Sequence, residues 1–121
     1  MGREFILTDQ FEKQLRAFAN SDELLRDIEQ EVLRDLELPV TARDMIQGTG
    51  GFTKVRVSLK DQSIGKSGGV RVIYLDWPQR EIVYLAIVYS KSSLGNISDA
   101  AKQVLKNIGQ ELKAWQPKKK L

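Results

Sequence analysis

The chain has 121 residues, with 19 Lys and Arg against 16 Asp and Glu, and neither cysteine nor histidine. That length is enough for one domain with a real core. The missing residue types exclude a disulfide framework, thiolate metal sites and an imidazole base, which leaves Lys, Arg, Tyr, carboxylates and hydroxyls for any catalysis.

The net charge of +3 is unevenly divided. Residues 1–50 carry 6 basic and 11 acidic side chains, and residues 51–121 carry 13 and 5. An acidic half joined to a basic half favours one face for a polyanion and another for solvent or a partner. No apolar run approaches the roughly 18–20 residues that cross a bilayer. The start, MGREFILTDQ, has no apolar signal-peptide core. A soluble cytoplasmic protein with no membrane contact is expected.

Taken in order, Arg3–Leu7 predicts an edge strand. Thr8 or Asp9 caps a helix, with Glu12 placed to close a capping box on Asp9. Phe11, Leu15 and Phe18 give that helix an apolar face. Asn20 breaks the pattern, and Ser21 is the expected cap of a second helix with Asp22 and Glu23 in its first turn. Its buried stripe is Leu24, Leu25, Ile28, Val32 and Leu36, and Pro39 ends it. Val40–Gln47 reads as a helical turn or an irregular crossover, with Met45 and Ile46 entering the core. Gly48-Thr-Gly-Gly51 needs residues tolerant of positive φ.

From Phe52 the period changes to two. In the strand Phe52–Leu59, Val55, Val57 and Leu59 point one way, while Lys54, Arg56 and Ser58 point the other. Lys60–Gly69 is a polar loop. Val70–Trp77 is apolar on both faces except for Arg71, which suits a central strand. Asp76–Arg80 predicts a hairpin connection, and Ile82–Tyr89 a second central strand from whose end Tyr89 and Lys91 emerge. Ser98 caps a last helix with Ala101, Val104 or Leu105, Ile108, Leu112 and Trp115 inward. Pro117 stops it, and residues 116–121 form a frayed basic tail. The expected architecture is α+β: one domain, 1–121, with a small twisted antiparallel sheet, two N-terminal helices and a C-terminal helix in the order β-α-α-β-β-β-α.

Candidate site residues are cations that interrupt apolar patterns. Lys54 and Arg56 stand at i, i+2 on the polar face of a strand. Arg71 breaks an apolar strand, where a guanidinium needs an anion or hydrogen-bond acceptor. Lys60, Lys66 and Lys91 lie in the loops around them, and Tyr89 can stack on a base or donate through its hydroxyl. The simpler alternatives are a charged, solvated sheet face and an internal ion pair for Arg71. Gly65-Lys66-Ser67 shares letters with a phosphate-binding P-loop but is not one. Lys60 stands where that motif needs glycine, and a strand follows instead of a helix. Trp77 and Trp115 read as core, and the acids show no metal-site spacing.

Three blocks, GTGGFTKVRV, GKSGGVRVIYLDW and YLAIVYSKSSL, precede the capped last helix. Together they resemble the RelE/HigB group of the RelE/ParE toxin superfamily, over nearly the whole chain. The resemblance implies the toxin half of a bacterial toxin–antitoxin pair, an endoribonuclease that cuts mRNA on the translating ribosome without metal or other cofactor. On it, Lys54 and Arg56 match the paired basic residues of the second strand, Arg71 the arginine early in the third, and Lys91 the basic position after the last. This makes Lys54, Arg56, Arg71 and Lys91 the expected catalytic set, with Lys60, Lys66 and Tyr89 binding RNA.

Two positions depart from the family pattern. Ser92 stands where an arginine follows the last basic position, and no tyrosine lies near the C-terminal helix; Tyr89 is near but not equivalent. Implied partners are a cognate antitoxin, mRNA with the ribosome, and operator DNA only through the toxin–antitoxin complex. The superfamily's ParE branch, which poisons DNA gyrase by binding, and a non-catalytic RNA-binding module are the alternatives.

Overall fold

A computed structural model describes residues 3–59, 69–90 and 99–114. The elements run β1 (Glu4–Leu7), α1 (Asp9–Leu15), α2 (Ser21–Leu36), β2 (Asp44–Met45), β3 (Thr53–Val57), β4 (Val70–Trp77), β5 (Ile82–Ser90) and α3 (Asp99–Ala114). The strands form one five-stranded sheet in the order β1-β5-β4-β3-β2. The two strands that read as apolar on both faces, β4 and β5, are flanked on both sides, as their composition requires.

The α+β class, the two N-terminal helices and the C-terminal helix are as expected. The sheet, however, is mixed rather than antiparallel. β1 lies parallel to β5, with Glu4 opposite Ile82 and Leu7 opposite Leu85. A hairpin forces its strands antiparallel, but β1 leads into two helices, so no tight turn sets its direction. A bidentate contact fixes it from outside. Arg3 donates to both carboxylate oxygens of Asp76 at the end of β4, at 2.9 and 3.3 Å.

Two cores lie on opposite faces of the sheet. On one, Phe11 and Leu15 of α1 and Leu24, Ile28 and Val32 of α2 pack on Val55, Val57, Val72 and Leu85. On the other, Leu105 of α3 is buried with Phe52, Ile73, Leu75 and Tyr84. Val104, left open with Leu105 as an inward residue, is 56 % exposed. Gly109 lets α3 approach closely: a β-carbon there would lie 2.9 Å from the Phe52 ring.

Local departures have physical causes. Thr8 is the cap of α1; its hydroxyl accepts the Phe11 N–H at 3.1 Å. Asn20, in the left-handed region at φ 55°, precedes α2, so Ser21 is its first helical residue. Val40–Ala42 is a 3-10 turn that runs into β2. Met45 does not enter the core; it is 43 % exposed, on a two-residue edge strand with nothing beyond it among the described residues. Asp76 and Trp77 belong to β4, and the turn is a 3-10 segment, Pro78–Arg80, closed by Glu81 at φ 55°. Gly48, Gly50 and Gly51 take the positive φ values expected of them. Ser98 and Trp115 lie outside the described residues. No described helix is long and apolar enough to cross a membrane.

Candidate functional site

β3 places its side chains alternately. Val55 and Val57 go into the core under α1 and α2, and Lys54 and Arg56 go to the face that carries α3. β4 continues the row. Arg56 is the register partner of Arg71, and Arg71 in turn is the partner of Tyr89 on β5. Partners in an antiparallel pair stand roughly 4.5–5.5 Å apart and share a face. Three strands therefore deliver Arg56, Arg71 and Tyr89 as one transverse row, with Lys54 one pleat along. α3 covers the same face farther along, over Phe52 and Tyr84, and the row lies toward the Val57, Val70 and Ser90 ends of the strands.

The row is graded in depth. Arg56 is exposed and Lys54 half-buried, whereas Arg71 is 8 % and Tyr89 6 % exposed. A ring that buried has no open face for a base to stack on, so the stacking role expected of Tyr89 does not fit. What it retains is a hydroxyl. Burial pushes that hydroxyl above the ordinary tyrosine value of 10.0; the Arg71 charge pulls it back, and the Asp44 charge adds to the rise. Tyr89 is thus a neutral hydrogen-bonding group at neutral pH.

Asp44 is the member the sequence reading missed. It stands opposite Lys54 in the β2–β3 register, and its Oδ2 is 3.7 Å from Lys54 Nζ. A two-residue strand carries no periodicity, so nothing in Val40–Gln47 marked it. Lys60, Lys66 and Lys91, also expected here, lie outside the described residues. Like charges directly across a strand pair weaken a sheet. Arg56 stands directly opposite Arg71, so the strand pair brings two cations together on one face. Among the described residues, no group of three or more acidic side chains is gathered that could hold a metal ion.

No protein-family model matches the chain. Solved structures do. The isolated E. coli RelE toxin aligns with a TM-score of 0.51 at 16 % identity, over 88 % of this chain and 99 % of that one. A doubly arginine-substituted E. coli RelE in the free state aligns with a TM-score of 0.56 at 15 % identity, over 91 % and 98 %. The RelE of an archaeal RelE–RelB complex from Pyrococcus horikoshii aligns less closely, with a TM-score of 0.47 at 17 % identity, over 78 % and 100 %. The first two carry the assignment: this chain has the fold of RelE-type toxins.

Proposed function

We propose that the chain is the toxin of a type II toxin–antitoxin pair and acts as an endoribonuclease on mRNA bound to the translating ribosome. The observation that carries this reading is the row of Arg56, Arg71 and Tyr89 with Lys54 beside it, on a RelE-type fold. In the proposed reaction a ribose 2′-oxygen attacks the adjacent phosphorus and the bond to the 5′-oxygen breaks. The products are a 2′,3′-cyclic phosphate and a 5′-hydroxyl. Arg56 and Arg71 hold the phosphoryl oxygens, on which negative charge grows in the transition state. Lys54 or Lys66, acting as its neutral amine, takes the proton from the 2′-hydroxyl and returns it to the departing 5′-oxygen. Tyr89 donates a hydrogen bond from its buried hydroxyl. Most of the rate comes from alignment and charge stabilisation.

Arg71 is the residue to test, because it links the two outer members of the row. Arg71→Ala should lower cleavage of ribosome-bound message by about a hundredfold or more. Primer extension on mRNA from induced cells should show cuts within translated frames for the unaltered protein and none for the variant. Intact translated message alongside gyrase-dependent DNA breaks would select the gyrase-poison reading; RNA retained but uncut would select a binding module. The proposed partner is a small antitoxin that covers the basic face or locks a helix, in a complex that binds its own operator.

A further inference from the structure

The last part of β5 has β4 along one edge and, among the described residues, no strand along the other, because β1 stops at Leu7. Backbone groups on that bare edge need partners. Side chains from the two ends of α1 meet them. The Thr8 hydroxyl donates to the Ala86 carbonyl at 2.8 Å, and Gln14 Oε1 accepts the Val88 N–H at 3.0 Å.

These two contacts bracket an irregularity in the ladder. Ile73 pairs with Ile87 and Tyr74 with Leu85, so β4 advances one residue while β5 advances two, and Ala86 is left over as a bulge. A one-residue insertion moves every later side chain to the opposite face. Ahead of the bulge, Val83 and Leu85 pack with α1 and α2, and Tyr84 with the α3 core. Beyond it, Val88 packs with α1 and α2, and Tyr89 lies on the other face beside Arg71. Unbroken alternation from Tyr84 would instead bury Tyr89 under the N-terminal helices.

From this juxtaposition we infer that Thr8 and Gln14 are positioning residues of the cationic row: by holding the Ala86 bulge against α1, they keep Tyr89 on the face of Arg71 and Arg56. The inference rests on the nuclease reading of that face. Neither residue belongs to the row itself, and both act through Tyr89.

Gln14→Met keeps the side-chain length and removes the acceptor, and Gln14→Glu restores an acceptor oxygen. In Gln14→Met, nuclear Overhauser contacts between the Tyr89 ring and the Arg71 side chain should be lost, and Gln14→Glu should bring them back. Cleavage kcat should fall about tenfold or more, with KM for RNA little changed. In a Tyr89→Ala background the same substitution should alter kcat by less than about twofold, since the pathway it acts through is already gone. Contacts that persist in Gln14→Met, or equal loss of kcat in both backgrounds, overturn the inference. An unaltered protein that cuts no RNA, but whose Tyr89–Arg71 contacts vanish in Gln14→Met, refutes the nuclease reading and supports the positioning role.

Discussion

Asp44 is a carboxylate beside the cations of the row, and its effect can be sized. It lies 3.7 Å from Lys54 Nζ with 62 % of its side chain exposed. Such a pair contributes on the order of 0–1 kcal/mol and is screened by salt. It is too weak to block the site, yet it repels an incoming phosphate. Asp44→Asn should tighten binding of an uncleavable 2′-deoxy-substituted RNA by about two- to fivefold at low salt, the equivalent of under about 1 kcal/mol. The gain should fade as salt rises. Anisotropy titrations at two ionic strengths measure it; unchanged or weaker binding at low salt would show that Asp44 orients Lys54 rather than screening it. At this scale Lys54, Arg56 and Arg71 were legible because a cation that breaks an apolar or alternating run is visible in the letters. Asp44 was not, since its strand is too short for a pattern. The burial of Tyr89 was not either, because the bulge that sets its face leaves no mark in Ile82–Tyr89.

At the scale of elements, the face that carries the row also carries α3, and one glycine governs how close that helix sits. Gly109 is buried, and its missing β-carbon leaves room for the Phe52 ring, itself fully buried. Alanine is the better helix former by about 1 kcal/mol. Here the added methyl would meet an aromatic edge at 2.9 Å, and forcing extra volume into a packed core costs about 1–3 kcal/mol. Gly109→Ala should therefore lower the unfolding free energy by up to about 2 kcal/mol in urea denaturation instead of raising it. In a Phe52→Leu background, where the ring is gone, the loss should shrink or reverse; an equal loss in both would place the clash elsewhere. Hydrophobic period made the three helices and the strands β3, β4 and β5 legible, and the Thr8 cap marked the start of α1. The parallel pairing of β1 was not, because it depends on which edge of the sheet is left bare after the helices pack.

For the molecule as a whole, the two cores share the three tyrosines of the chain in a way that ties stability to alkaline pH. Tyr74 sits in the core under α1 and α2, and its hydroxyl donates to Asp35 Oδ2 at 2.5 Å. Burial chiefly, and then this bond, push its ionisation far above the ordinary value of 10.0. Tyr84 and Tyr89, on the opposite face, are also raised by burial, against the opposing charges of Arg80 and Arg71 respectively. Each phenol thus holds its proton more tightly folded than unfolded. The associated stability is complete below pH 10, the unfolded value, and is lost as pH rises through the folded values. The protein should therefore show little tyrosinate absorbance while it stays folded just above pH 10. At higher pH that absorbance should climb together with loss of the circular dichroism signal. A tyrosine titrating near 10 in protein that keeps its full dichroism would show that one of these rings is less enclosed than its packing indicates. If cleavage survives to the same limit, the hydroxyl of Tyr89 acts in its neutral form, since ionisation would place a negative charge beside Arg71 and the bound phosphate.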